Sequence, residues 1–116
     1  MKEDNIIKEK SYNFSLKIIK TYQELTIDKK EFILSKQLIR SGTSIGANVE
    51  ESIGAQSKND FISKISISYK EARETLYWLH LLTDSGFLKK EQSDTLIFDC
   101  EELLKILGSI LRTSKS

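Results

Sequence analysis

Several residue types that build common kinds of site are scarce or missing in this chain. None of its 116 residues is proline, and cysteine, histidine and tryptophan occur once each. The lone cysteine, Cys100, excludes an intramolecular disulfide and a zinc site built from several thiolates. The lone histidine, His80, has no Glu-x-x-His motif around it, which excludes a carboxylate-bridged di-iron centre. We therefore expect no bound metal and no cofactor.

Excess charge and long apolar runs are also missing. Eighteen Lys and Arg stand against seventeen Asp and Glu, so the net charge is +1 and any attraction to nucleic acid must come from a local patch. No stretch approaches the roughly 20 apolar residues of a membrane span, and the N-terminal segment MKEDNIIKEK lacks the apolar centre of a signal peptide. We expect a cytoplasmic protein that does not bind membranes.

The residues that are present follow a helical pattern. Apolar positions recur at spacings of three and four, and without proline nothing interrupts long helices. The pattern predicts helices over about residues 4–26, 29–54, 57–84 and 89–113. The expected core residues are Ile7, Phe14, Ile18, Leu25, Phe32, Leu38, Ile45, Val49, Ile53, Phe61, Ile65, Ala72, Leu76, Leu79, Leu96, Cys100, Leu103, Leu107, Ile110 and Leu111.

Capping signals divide these helices. Asp28 followed by Glu31 has the spacing of a capping box and predicts that the second helix starts near Lys29. Ser57 and Asp60 repeat this pattern before the third helix. Gly54 and Gly86 are expected to end the second and third helices, because glycine tolerates a left-handed cap. Short connections favour antiparallel neighbours, so the prediction is one all-α domain, residues 1–116, folded as an antiparallel up-down-up-down four-helix bundle.

Two of the helices carry a second apolar face. On the first helix, Tyr12 and Ile19 lie opposite the core residues. On the third helix, Ile67 and Trp78 lie opposite the core residues of that helix. A helix that is apolar on two sides is usually buried on two sides, which predicts a homo-oligomer. Carboxylates between Ile67 and Trp78 would then meet a neighbour's Lys or Arg, whereas in a monomer they would form a solvated strip. The expected oligomer-interface residues are Tyr12, Ile19, Ile67, Glu71, Glu74 and Trp78.

The second helix combines small residues with exposed cations. Gly42 and Gly46 each cost roughly 1 kcal/mol relative to alanine inside a helix, which indicates close approach of another backbone. Their segment GTSIGA lacks the lysine of a phosphate-binding P-loop. Clustered cations can contact phosphates, although they more often solvate a helix. The candidate nucleic-acid-binding residues are Lys36, Arg40 and Lys58.

One pair of residues leaves an enzymatic alternative open. Arg73 and His80 lie two turns apart on one side of the third helix. This spacing resembles the arginine and histidine pair of the HEPN ribonucleases, which are also small helical bundles and act on RNA phosphates. Glu74 stands just after the arginine, where its charge would repel phosphate. We therefore expect no catalytic residues and keep a metal-independent ribonuclease as the less favoured alternative.

Four segments together resemble a known family. SIGANVEES, SKNDFISKISIS, KEARETLYWL and LLTDSGFL are similar to the bacterial four-helix bundle proteins called 23S rRNA intervening-sequence proteins, over about residues 5–112. The resemblance implies a homopentamer with a central channel. A related branch comprises the accessory proteins of diversity-generating retroelements, which bind nucleic acid and a reverse transcriptase.

Single positions both support and qualify this resemblance. Ser44, Asn48 and Glu51 match the family's S-I-x-x-N-x-x-E pattern, whereas many relatives have arginine where this chain has Ile39, Ala55 or Gln56. Fewer arginines mean fewer phosphate contacts. We expect a non-enzymatic scaffold that docks RNA, DNA or a protein partner such as a reverse transcriptase, and the resemblance implies that this scaffold is pentameric. The alternative is a protein-interaction module with no nucleic-acid role.

Overall fold

Four long α-helices account for most of the chain. The computed structural model describes residues 2–115, with side chains described for residues 6–115. The helices are α1 (Lys2–Ile27), α2 (Leu34–Ile53), α3 (Lys58–Asp84) and α4 (Lys90–Lys115). Residues 2–115 contain no β-strand. The prediction of an all-α chain with four helices is confirmed.

The helices pack as a bundle in which each contacts two others. α1 contacts α2 and α4, and α3 likewise contacts α2 and α4. Ion pairs mark the seam between α1 and α4, where Lys10 Nζ lies 3.2 Å from Glu102 Oε1 and Lys17 Nζ lies 2.7 Å from Asp99 Oδ2. These surface pairs contribute little stability on their own, so the bundle is held mainly by its apolar core.

The core contains most of the residues that the helical pattern assigns to it. Ile18, Ile45, Leu79 and Leu107 are completely buried, one from each helix. Cys100 is also completely buried, and its Sγ donates to the backbone carbonyl of a residue in α3 at 3.3 Å. Phe61, Leu76 and Leu111 are only partly buried and pack against this core from outside.

The glycines of α2 allow α1 to come close. A Cβ built on Gly46 would lie 3.3 Å from the backbone oxygen of Ser11, so the predicted close backbone approach is confirmed there. A Cβ built on Gly42 would instead meet a side chain, at 2.9 Å from Cγ1 of Ile18. Both glycines therefore serve the packing of α1 on α2.

The predicted start of α2 is wrong by about five residues. α2 begins at Leu34, because Lys30 has a φ of 55°, which no residue inside a right-handed helix can adopt. Asp28 does not cap the helix. Glu31 does so instead, since its carboxylate accepts from the backbone N–H groups of Ile33, Leu34 and Ser35 at 3.1, 3.0 and 2.7 Å.

Three further expectations about the helix ends need correction, and two are confirmed. Phe32 and Ile53 were expected in the core but are 59% and 47% exposed, because Phe32 lies in the connection before α2 and Ile53 is the last residue of α2. Gly54 has a φ of −92° and is not left-handed. Ser57 caps α3 by accepting from the Asp60 N–H at 3.0 Å, and Gly86 follows α3 with a φ of 87°.

Candidate interaction surfaces

A polar cluster joins α2 to α3 and contains four of the predicted site residues. α3 presents Glu71, Glu74 and Trp78 on one side because they are three and four residues apart. From α2, Arg40 Nη1 donates to Glu71 Oε2 at 2.9 Å and Nη2 donates to Glu74 Oε2. Trp78 Nε1 donates to the same Glu74 oxygen at 2.9 Å. We name these four residues the Arg40 cluster.

The charges of the Arg40 cluster are matched within the chain. The hydrogen bonds to Glu74 and Glu71 raise the pKa of Arg40 above its ordinary value. The hydrogen bond from Trp78, followed by that from Arg40, lowers the pKa of Glu74 against the opposing effect of burial. One guanidinium between two carboxylates leaves the cluster with a net negative charge near neutral pH.

This pairing brings together residues to which the sequence assigned separate roles. Arg40 was predicted to contact phosphates, whereas Glu71 and Glu74 were predicted to meet a cation of a neighbouring protomer. Within one chain, Arg40 is itself the cation that contacts both carboxylates. A phosphate approaching Arg40 would therefore have to compete with two carboxylates already in place.

Buried hydroxyl groups fix the two helices beneath the Arg40 cluster. Thr75 Oγ1 lies 2.9 Å from Ser41 Oγ, and Ser68 Oγ donates to the backbone oxygen of Ile45 at 2.8 Å. Ser41, Ser68 and Thr75 are fully buried, so these hydrogen bonds are shielded from water. The cluster is thus carried by two helices in a defined register and not by a loop.

The other two candidate phosphate-binding residues lie apart from each other. Lys36 is exposed in the first turn of α2, and Lys58 is exposed as the first residue of α3. Lys36 lies seventeen residues before the last residue of α2, Ile53, a length of roughly 26 Å at 1.5 Å per residue. The structure therefore does not combine Lys36, Arg40 and Lys58 into one basic patch.

A groove between α1 and α2 contains the predicted interface residues of α1. Tyr12 is 65% exposed and Ile19 is 37% exposed, and both line a groove of about 660 Å³ together with Gly46 and Ala47 of α2. We name it the α1–α2 groove. Tyr12 and Ile19 lie along the seam of α1 and α2, whereas the Arg40 cluster lies along the seam of α2 and α3.

The predicted interface residues of α3 are exposed to different degrees. Ile67 is 40% exposed and lies one turn before Glu71. Trp78 is only half-buried and packs against the core, while its ring meets that of Tyr77 edge-on with centroids 5.1 Å apart. Tyr77 is 58% exposed and adds an aromatic side chain next to the Arg40 cluster.

A second groove, between α3 and α4, was missed by the sequence analysis. It has a volume of about 670 Å³, and the residues that line it include Tyr69, Arg73, Phe98, Lys105, Gly108 and Arg112. We name it the α3–α4 groove. The signal that predicts it is the spacing of seven that separates Phe98, Lys105 and Arg112, which keeps them on one side of a helix.

The enzymatic alternative gains no support from the positions of its two residues. Arg73 and His80 are both exposed on α3. Arg73 lines the α3–α4 groove, but His80 does not. His80 is therefore not placed where a phosphate bound by Arg73 in that groove would lie.

Residues 2–115 offer neither a metal-binding cluster nor a membrane-spanning helix. No group of three or more His, Cys, Asp or Glu side chains there is arranged to hold a metal ion. None of the helices in that range is long and apolar enough to cross a bilayer. Burial raises the pKa of the Cys100 thiol to about 12, with further effects from Glu101 and Asp99, so the residue is an unreactive part of the core.

Comparison with solved structures identifies a close relative. A crystal structure from Bacteroides thetaiotaomicron, described as a protein with unknown function from the S23 ribosomal protein family, is 46% identical in sequence. The match covers 95% of this chain and 98% of that chain, with a TM-score of 0.93. No curated protein matches the chain.

The family comparison agrees with this structural likeness. Residues 3–109 match the profile of the family described as 23S rRNA-intervening sequence protein, a range that includes all four helices except the end of α4. The motifs in α2 and α3 that resemble this family lie inside the matched range. The chain therefore belongs to the 23S rRNA-intervening sequence protein family.

Proposed function

We propose that this chain is a non-enzymatic scaffold. In this proposal an antiparallel up-down-up-down four-helix bundle assembles into a homopentameric ring and docks a protein partner through a surface that the ring repeats. The proposal has three parts, which are the topology, the ring and the partner.

The order of the contacts between helices supports the antiparallel topology. Along the seam of α1 and α4, Lys10 meets Glu102 and Lys17 meets Asp99. Residue numbers thus rise along α1 while they fall along α4. The same opposition holds between α2 and α3, where Arg40 bonds Glu74 and a residue near the end of α2 meets one near the start of α3.

The main support for the ring is that apolar side chains are exposed at two separate places, the α1–α2 groove and α3. Tyr12 and Ile19 line the α1–α2 groove, whereas Ile67 lies on α3 beside the Arg40 cluster. A contact between unlike faces is heterologous, and such contacts close into a ring or extend into a filament. The family resemblance implies a closed ring of five.

The Arg40 cluster would set the register of this contact. Its hydrogen bonds hold Glu71, Glu74 and Trp78 in fixed positions before any neighbour binds, which lowers the entropy lost on association. Its net negative charge would attract a cation on the α1–α2 face of the neighbour, such as Lys8, whose half-exposed side chain makes only a long ion pair of 3.8 Å with Glu50 of its own chain.

A ring of identical chains can hold a partner through several weak contacts at once. When one patch is engaged, the others act at a high effective concentration, so total affinity exceeds that of one patch. A protein partner is better supported than nucleic acid, because Arg40 is already paired with two carboxylates and Lys36 lies far from Lys58. Lys36 and Lys58 form no ion pair among the described side chains, which favours nucleic acid as the second candidate partner.

The mass of the assembly in solution tests the ring. Light scattering of the purified protein should give five times the chain mass. Tyr12→Asp introduces a charge into the α1–α2 groove and should reduce the mass to that of one chain, with helix content unchanged because Tyr12 is 65% exposed. Phe98→Asp is the matched control, since Phe98 is 68% exposed on a face outside the proposed contact.

Four outcomes would contradict the proposal. A monomeric wild type would remove the ring, and an equal loss of mass in Phe98→Asp would show that the contact lies elsewhere. Metal-independent cleavage of RNA that disappears in His80→Ala would contradict the non-enzymatic role. RNA binding that weakens in Lys36→Glu and Lys58→Glu would replace the protein partner by nucleic acid.

A further inference from the structure

The α3–α4 groove is unlike the other seams of the bundle in its charges. Of the three arginines in the chain, Arg40 is paired within the Arg40 cluster, and the other two line this groove. Arg73, Lys105 and Arg112 form no ion pair among the described side chains. By contrast, the seam of α1 and α4 pairs its lysines with carboxylates across the helices. The α3–α4 groove therefore presents three cations that have no ion-pair partner among the described residues.

Apolar surface accompanies these cations. Phe98 is 68% exposed, and Tyr69 is half-buried on the opposite wall. Leu76 and Leu104, both partly buried, complete the lining. A molecule that covered Phe98 beside these cations would gain free energy, because removing apolar surface from water is favourable.

Gly108 gives the groove a place where a partner can come close to α4. Glycine inside a helix is unfavourable relative to alanine, and Gly108 lies inside α4, more than a turn before its end. A Cβ built there would lie 3.4 Å from Arg112 Nη1 and 3.7 Å from Tyr69 Cε2, which are ordinary contacts. Packing within the chain therefore does not require glycine at this position.

The groove has the length of a helix of several turns. Phe98, Lys105 and Arg112 lie seven residues apart along α4, so the groove runs for roughly 21 Å at 1.5 Å per residue. Two neighbouring helices present a furrow into which the side chains of a third helix can fit. A partner helix of about fourteen residues would fill this length.

We propose that the α3–α4 groove docks an acidic amphipathic helix of another protein. Its apolar side chains would cover Phe98 and Tyr69, and its carboxylates would pair with Arg73, Lys105 and Arg112. This rests on the scaffold role proposed above and names the docking site and the chemistry of the partner.

The acids within the groove favour a peptide over nucleic acid. Glu101 and Glu102 also line it, and Glu102 is already paired with Lys10. A continuous polyanion would bring phosphates against Glu101, whereas a helix can place an apolar or basic residue there. Basic and acidic groups on one apolar groove therefore match an amphipathic helix, which carries both kinds of charge.

A synthetic helix tests the proposal directly. The probe is a fluorescent amphipathic helix of about fifteen residues, a length that matches the groove, with leucines on one face and glutamates beside them. Its binding to the full-length protein is followed by anisotropy. The same peptide with lysine for glutamate and a single-stranded oligouridine are the comparison ligands.

Variants locate the binding on the groove. Arg73→Glu combined with Arg112→Glu should weaken binding of the acidic peptide at least about tenfold, because two attractions become repulsions. Lys36→Glu on α2 should leave the affinity for this peptide unchanged. Phe98→Ala should weaken it by a similar factor. Gly108→Ala should raise the melting temperature and still weaken the peptide severalfold, which a merely destabilised protein would not do.

The results separate this proposal from the ring. No binding of the acidic peptide, equal binding of the lysine peptide, or tighter binding of oligouridine would each overturn the docking proposal. The mass measured for wild type decides the ring independently, because Phe98 lies outside the proposed contact. Tyr12→Asp should lose the ring and keep one peptide site per chain.

Discussion

Gly42 lies so close to α1 that Gly42→Ala should destabilise the fold, although alanine favours helices. A Cβ at this position would lie 2.9 Å from both Cγ1 and Cγ2 of Ile18. Ile18 is completely buried and β-branched, so it cannot turn away without disturbing the core. Overpacking typically costs about 1–3 kcal/mol, while the better helix former returns roughly 1 kcal/mol. The expected net loss is about 1 kcal/mol.

Gly108→Ala is the matched control for this prediction. The new Cβ would meet only the flexible end of Arg112 and the ring of Tyr69 at ordinary distances, so the gain in helix propensity should remain. The expected result is an increase of up to about 1 kcal/mol. Urea unfolding followed by circular dichroism at equal protein concentrations measures both changes, and the slope against urea should stay the same.

The difference in unfolding free energy between Gly42→Ala and Gly108→Ala decides whether the packing argument holds. A Gly42→Ala protein as stable as Gly108→Ala would mean that α1 moves away from α2 at little cost. That result would refute the inference that Gly42 is required by Ile18.

Three other features of the structure lead to measurable results. Burial alone would raise the pKa of Glu31, but hydrogen bonds from the backbone of α2 outweigh it and lower the pKa below 4.5. Glu31→Gln should therefore cost about 0.3–1 kcal/mol in urea unfolding at neutral pH, a difference that disappears as pH falls through the lowered folded pKa. Because the pKa of Cys100 is raised to about 12, a thiol reagent should label it only as fast as the protein unfolds, and rapid labelling of the native protein would contradict its burial. If the Tyr12 face contacts the Trp78 face of a neighbour, Tyr12→Asp should move the emission of the single tryptophan to longer wavelength, and an unchanged spectrum would argue against that pairing.

The helices were predictable from the sequence because their signal is local. Apolar spacing depends only on residues within two turns, and it identifies most of the core correctly, including Cys100, although Phe32 and Ile53 are exposed. The start of α2 was not predictable in this way. Asp28 and Glu31 have the spacing of a capping box, but Lys30 is left-handed and the Glu31 N–H bonds back to Leu25 at 2.9 Å, so the chain turns there.

The candidate surfaces were harder to predict because they combine residues from different helices. Arg40 precedes Glu71 by 31 positions and Glu74 by 34, and nothing along either helix indicates that they meet. The sequence did place these charged residues on the outer faces of their helices. It could not show that Arg40 is already paired within its own chain.

Salt dependence separates the two classes of partner at the α3–α4 groove. A single-stranded nucleic acid that engaged Arg73, Lys105 and Arg112 would release condensed counterions, and its log affinity would fall with log salt with a slope of about −2, at roughly 0.7 per contact. An acidic helix has no condensed counterions to release. It also draws part of its affinity from the apolar side chains of Phe98 and Tyr69, which salt does not screen. The acidic peptide should therefore show a clearly shallower slope, and a slope as steep as that of oligouridine would mean that charge alone holds it.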